Sequence, residues 1–136
     1  MQEICHAAFE INDARLSDPT AVINPTKYTE YVTVASSRAG IQCGASVHRT
    51  EANGNIGVYG HLRGYRGDGE VYITLLGFKG EEVVSKNINT SKCTWTKDTG
   101  WGKGNLISSA ELLSKGYVTR DDPTAHILIT YHLKMS

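Results

Sequence analysis

The feature that most constrains this chain is the even spacing of its turn signals. Groups of glycine, proline, asparagine and aspartate recur at short intervals along all 136 residues. The signals are Asp18-Pro19, Asn24-Pro25, Ala39-Gly40, Asn53-Gly54, Gly67-Asp68-Gly69, Lys79-Gly80, Thr99-Gly100 and Gly116. Turns at this spacing separate short strands and leave little room for long helices. The spacing therefore favours an all-β fold.

The segments between the turns are rich in β-branched and aromatic residues, which favour strands. The predicted strands cover residues 7–11, 28–35, 41–48, 56–65, 70–78, 83–88, 93–97 and 126–133. In the last of these segments Ile127, Ile129, Tyr131 and Leu133 alternate with a mostly polar set, so one face is predicted to be core. Residues 108–115 alone have helical character, with Ser108 or Ser109 as the cap. The chain is thus predicted to be one domain, an antiparallel β-sandwich or barrel of about eight strands with one short helix.

Charge excludes several partners. Fourteen basic and fourteen acidic residues give a formal net charge of zero. A chain without a strong cationic field is a poor candidate for binding nucleic acid or a membrane surface. In addition, no apolar run approaches the ~18 residues that a membrane span needs. We therefore expect a soluble protein with no nucleic-acid or membrane partner.

The residues capable of chemistry do not form a recognisable motif. Cys5, Cys43 and Cys93 are an odd number without CxxC spacing, which indicates reduced intracellular thiols rather than a disulfide framework or a zinc knuckle. His48 and His61 can meet across neighbouring strands, but the sequence marks no third metal ligand. No nucleophile and base are paired by spacing either. The sequence predicts neither an enzyme nor a metal or cofactor.

Five short motifs, in order along the chain, resemble those of one family. They are Phe9-Glu10-Ile11-Asn12, the strand from Ile56 to Leu62, Trp101-Gly102, Gly116-Tyr117, and Asp121-Asp122 before the closing strand. Together they resemble the TRAF-like, or MATH, domain, and the likeness spans most of the chain. The resemblance implies that Tyr59 faces outward from its strand. Lys79-Gly80-Glu81-Glu82 is most similar to MATH domains that are paired with BTB domains.

The resemblance implies a protein–protein interaction module that binds a short extended peptide of a partner in a surface groove. It also implies a role in substrate recognition by a ubiquitin-pathway adaptor in the cytoplasm or nucleus. The residues that correspond to the groove walls are Tyr59, Val71, Cys93, Trp95, Trp101 and Lys103.

This chain departs from the best-known groove of the family at several walls. That groove has an aromatic residue at Val71, a tyrosine at Cys93, a Lys-Asp pair at Thr99-Gly100 and another aromatic residue at Lys103. Those side chains select serine- and threonine-rich peptides, so the resemblance does not carry that specificity to this chain. Lys103 instead favours an acidic or phosphorylated ligand.

Other interpretations remain open at this stage. Trp95, Val71 and Cys93 are more often core residues than ligand contacts, whereas for Tyr59 and Trp101 the two roles are evenly balanced. The whole chain is alternatively an assembly sandwich without a groove, which joins copies into a homo-oligomer through the parent protein. A carbohydrate- or lipid-binding sandwich would need an exposed aromatic platform or a basic patch.

Overall fold

A computed structural model describes residues 2–34, 40–79, 82–96 and 100–134, and within these ranges the chain is an antiparallel β-sandwich with one short α-helix. The strands are β1 (Gln2–Asn12), β2 (Ile23–Tyr28), β3 (Val32–Thr33), β4 (Gln42–Arg49), β5 (Ile56–Arg63), β6 (Gly67–Lys79), β7 (Glu82–Trp95), β8 (Gly100–Ile107) and β9 (Thr124–Lys134). The helix α1 (Ser109–Ser114) lies between the last two strands, and a 3-10 helix (Ala14–Ser17) follows the first. The predicted fold class is confirmed.

The described strands form two sheets. Sheet A has the order β1-β9-β6-β7, and sheet B has the order β2-β4-β5-β8 with the short β3 beside β4. Every pairing is antiparallel. The strands at the ends of the chain lie side by side in sheet A, since β1 pairs with β9 along its whole length.

The core follows from the alternation along each strand. Ile127, Ile129, Tyr131 and Leu133 of β9 are all buried, as predicted from the sequence. The Tyr131 hydroxyl crosses between the sheets and donates to the carbonyl of His61 at 3.2 Å. Because this phenol is buried, its pKa is raised well above the usual value. Tyr131 therefore joins the two sheets both by packing and by a hydrogen bond.

The helix begins and ends at residues suited to those positions. The Ser108 hydroxyl accepts a hydrogen bond from the Glu111 amide at 3.1 Å, so Ser108 is the N-cap, one of the two residues predicted for that position. Gly116 has a φ of +77°, and this left-handed backbone follows the helix where glycine is preferred. The carbonyl of Gly116 then accepts from the Phe78 amide at 3.0 Å, which fixes the end of the helix to β6.

Arg49 connects the 3-10 helix and α1 to sheet B through hydrogen bonds. Its side chain is only 1 % exposed, and Nε donates to the Ala21 carbonyl at 2.6 Å. The guanidinium also donates to the Arg15 carbonyl at 3.1 Å and to the hydroxyl of Ser109. Burial lowers the pKa of Arg49, and the neighbouring Asp18 partly offsets this effect. One arginine thus ties the 3-10 helix, the following loop and α1 to β4.

Several predicted elements differ from the structure. The turn predicted at Asn24-Pro25 lies within β2. The segment 28–35 was predicted as one strand, but β2 ends at Tyr28 and β3 begins at Val32, while residue 35 lies outside the described ranges. The two strands predicted at 83–88 and 93–97 are a single strand, β7, whose described part ends at residue 96. The segment that contains Trp101 and Gly102 was not predicted to be a strand and is β8.

Candidate functional site

Each sheet has an outer strand at one side of the sandwich, and there the two sheets meet. Of the described strands, β7 pairs only with β6 and β8 pairs only with β5. The two outer strands, β7 and β8, contact each other. An outer strand presents backbone N–H and C=O groups that an additional strand can pair with. We call this region, formed by β8 and the end of β7, the rim.

Trp101 bridges the two strands of the rim. It lies opposite Gly60 of β5, on the side of β8 that faces the core, and it is partly buried against the core. Its indole Nε1 donates to the Thr94 carbonyl of β7 at 3.2 Å. The ring therefore has a fixed position but keeps part of its surface accessible, which is the usual condition of an aromatic binding residue.

The outward side of β8 is made of glycine. Side chains from β5 occupy the space above Gly100 and Gly104. A Cβ built at Gly104 would lie 3.0 Å from the Tyr59 hydroxyl, and one built at Gly100 would lie 2.8 Å from Nδ1 of His61. The Tyr59 ring also stacks on His48, with ring centroids 5.3 Å apart. Tyr59 thus faces outward, as the resemblance implied, and reaches over β8.

Five of the six residues predicted from the sequence divide into two groups. Trp101 and Lys103 lie on β8 at the rim, with Lys103 exposed opposite Val58, and the Tyr59 side chain reaches over the rim from β5. Val71 and Trp95 are 0 % and 1 % exposed, so they belong to the core and present no surface to a ligand.

Cys93 lies between these two groups. It is 8 % exposed, and its thiol donates to the Gly69 carbonyl at 3.5 Å. Burial raises the pKa of the thiol to about 11, and the charges of Glu70 and Asp68 act in the same direction. Since the thiolate is the reactive form, Cys93 is an inert residue beneath the rim. At Thr99-Gly100 this chain lacks the Lys-Asp pair of the best-known groove of the family. Thr99 lies outside the described residues, so the structure describes only Gly100 of this pair.

A cavity of about 410 Å³ lies beside Trp101. Its polar lining includes Asp68, Glu70 and His132, none of which was predicted as a site residue. The sequence indicated a turn at Gly67-Asp68-Gly69, but this segment is the first part of β6. Alternation from Val71, whose side chain is in the core, would have placed Asp68 and Glu70 on the outer face once the strand was known to begin at Gly67.

Ser46 and His61 form a pair that the sequence did not indicate. Ser46 Oγ and His61 Nε2 are 2.7 Å apart, a distance typical of a nucleophile and its base. Burial lowers the pKa of His61, which favours the neutral ring. However, Ser46 is only 2 % exposed, so a substrate carbonyl has no approach to its hydroxyl. The pair satisfies two polar groups on β4 and β5.

The two histidines considered for a metal have different neighbours. His61 contacts Ser46, whereas His48 stacks on Tyr59. Across the part of the chain that the structure describes, no group of three His, Cys, Asp or Glu side chains is placed to hold a metal ion. Nor does any helix in those ranges have the length and apolar character needed to cross a membrane.

Comparisons with known proteins do not assign the chain. No protein-family model matches the sequence, and no curated protein matches it at a significant level.

Proposed function

We propose that this chain is a protein–protein interaction module of the TRAF-like type, which binds an extended segment of a partner along the rim. One observation carries the proposal: β8 is an outer strand, and Trp101 holds it beside the outer strand of the other sheet. An extended segment can pair with such a strand through backbone hydrogen bonds, and neighbouring side chains then supply specificity.

The rim has the components that this mode of binding needs. The glycines of β8 leave the strand without bulky side chains of its own on the outward side. Trp101 and Tyr59 provide two aromatic surfaces on either face of the strand, and aromatic residues commonly dominate the free energy of peptide binding. Lys103 adds an exposed cation near them, which favours an acidic or phosphorylated residue in the ligand.

The more specific role, substrate recognition in a ubiquitin-pathway adaptor, rests on the resemblance of Lys79-Gly80-Glu81-Glu82. Gly80 and Glu81 lie outside the described residues. This role predicts that proteins captured through the rim become ubiquitylated in cells, and that Trp101→Ala reduces capture and modification together. Captured proteins that stay unmodified contradict the role.

The binding mode itself can be tested by selecting extended 12-residue peptides from a random display library and mapping backbone amide shifts. We expect the shifts to cluster at β8, Tyr59 and the end of β7. Shifts clustered at 126–132 on the outer face of sheet A, or at Asn53-Gly54, would show that the rim is not the site. Failure to select any peptide, with concentration-dependent dimerisation in light scattering, would favour the assembly sandwich instead.

A further inference from the structure

The cavity beside Trp101 has an acidic side formed by two residues of β6. Asp68 and Glu70 alternate with Gly69 and so lie on the same, outer face of sheet A. Their direct neighbours on β7 are Thr94 and Lys92, and His132 lies opposite Glu70 on β9. All five side chains line the cavity, together with Trp101. The cavity thus adjoins the rim but opens on a different face.

Both carboxylates are oriented by neutral hydroxyl groups. The Thr94 hydroxyl donates to Asp68 Oδ1 at 2.7 Å, and the Tyr72 hydroxyl donates to Glu70 Oε2 at 2.5 Å. The Tyr72 ring is itself packed on His132, with centroids 4.5 Å apart. Each carboxylate therefore has a fixed orientation with a second oxygen that can accept from a ligand.

Among the residues that the structure describes, neither Asp68 nor Glu70 forms an ion pair within 4.0 Å. This includes Lys92, although Lys92 lies directly opposite Glu70 on β7. Lys92 and Lys134 also line the cavity, and both are exposed, so their long flexible side chains stay hydrated. Burial raises the pKa of the neighbouring Cys93 thiol, and the charges of Glu70 and Asp68 raise it further.

We infer that this cavity is a subsite for a basic side chain, preferably arginine, of the segment bound at the rim. A guanidinium presents several donors in a plane and matches two carboxylate oxygens better than an ammonium does. The indole of Trp101 offers an aromatic surface for the same cation. The assignment rests on the proposed function, because Trp101 belongs to both the rim and the cavity.

The subsite can be tested without knowing the partner. The probes are N-acetyl-argininamide and N-acetyl-citrullinamide, which have nearly the same shape but differ in charge, and backbone amide shifts report where they bind. We expect saturable shifts at Gly69, Glu70 and Thr94 and at the Trp101 indole N–H, with at least about tenfold weaker binding of the citrulline probe. The double variant Asp68→Asn/Glu70→Gln should remove the binding, and Glu10→Gln on the same outer face should not.

Other outcomes overturn the inference. Equal binding of the two probes, shifts outside the cavity, or shifts that persist in the double variant each exclude a cation subsite. So does binding of N-acetyl-glutamate amide in the cavity, since that probe would report the two lysines. Peptides that bind along β8 without enrichment of basic residues leave the proposed function intact and contradict the subsite. Arginine binding without any peptide binding along β8 contradicts the assignment to a bound segment.

Discussion

The two tryptophans of the chain lie at the ends of neighbouring strands and have opposite environments. Trp95 ends β7, is 1 % exposed and packs on Tyr131, with ring centroids 5.6 Å apart. Trp101, near the start of β8, is partly exposed, and its Nε1 donates a hydrogen bond to the Thr94 carbonyl. In contrast, Nε1 of Trp95 is buried and has no hydrogen-bond partner among the described residues. Residue type alone therefore does not separate a core residue from a binding residue. The position of each ring relative to the second sheet separates them.

The largest effect expected is on stability. Trp95→Ala should lower the free energy of unfolding by about 3–5 kcal/mol, because it removes a large side chain from the centre of the core. Urea denaturation followed by circular dichroism measures the loss, with Trp101→Ala as the matched control. If the two substitutions destabilise the protein equally, the distinction between core and rim is wrong.

Arg49 is a polar counterpart of Trp95, because it is equally buried but acts through hydrogen bonds. Arg49→Met should lower the free energy of unfolding by about 3 kcal/mol, since the carbonyls of Arg15, Asp18 and Ala21 lose their donor. The same denaturation assay measures this, and the exposed Arg120→Met provides the control, expected within about 0.5 kcal/mol of wild type. A peptide affinity that changes more than the stability would contradict a purely structural role.

The sequence predicted the elements whose side chains alternate clearly. The strand β9 and the cap of α1 are examples, because apolar residues at every second position and a serine before a short helix have few other interpretations. The strand β8 was not predicted, since glycine at positions 100, 102 and 104 has a low strand propensity. Pairing with β5, a tertiary interaction, makes this segment a strand. The polar residues 89–92 in the middle of β7 were likewise predicted as a break between two strands, because polar residues such as asparagine and lysine also have a low strand propensity.

The candidate site was only partly predictable. The motifs indicated Tyr59, Trp101 and Lys103, and the structure brings these three to the rim. Val71 could have been excluded by its alternation with the buried Ile73 and Leu75. The carboxylates of the cavity were missed because the sequence indicated a turn at Gly67-Asp68-Gly69, and their neighbours in the cavity depend on the register of β6 with β7 and β9.

A direct test of the rim uses Trp101 again. Trp101→Ala should weaken a selected peptide by about 1–3 kcal/mol, as is usual for an aromatic residue at the centre of an interface. The free energy of unfolding should fall by only about 1 kcal/mol, because the ring is partly exposed. Isothermal titration calorimetry with the peptide and urea denaturation measure the two values. A loss of stability larger than the loss of affinity would place Trp101 with Trp95.

His61 lies between core and rim, and its titration gives a smaller effect. Burial lowers its pKa in the folded state, so the unfolded chain takes up a proton first as the pH falls. Stability from this group is present above about pH 6.5, the ordinary pKa of histidine, and is lost progressively as the pH falls below it. Urea denaturation at several pH values measures the slope. His61→Asn should flatten the slope relative to wild type, whereas His6→Asn, an exposed histidine, should not.

The smallest effect expected is that of Lys103, which is exposed and therefore screened by solvent. Lys103→Glu should weaken an acidic or phosphorylated peptide by roughly 0.5–1 kcal/mol at low ionic strength, because a favourable charge becomes a repulsive one. The difference should shrink in about 0.5 M salt, where exposed charges more than a few ångströms apart no longer interact strongly. Fluorescence anisotropy with matched acidic and neutral peptides measures both trends.

Arg120→Glu makes the same change of charge on a loop away from the rim and should leave the affinity unchanged. Equal weakening of the neutral peptide would mean that Lys103 contributes through packing, and the ligand preference would then have to come from the aromatic side chains of the rim.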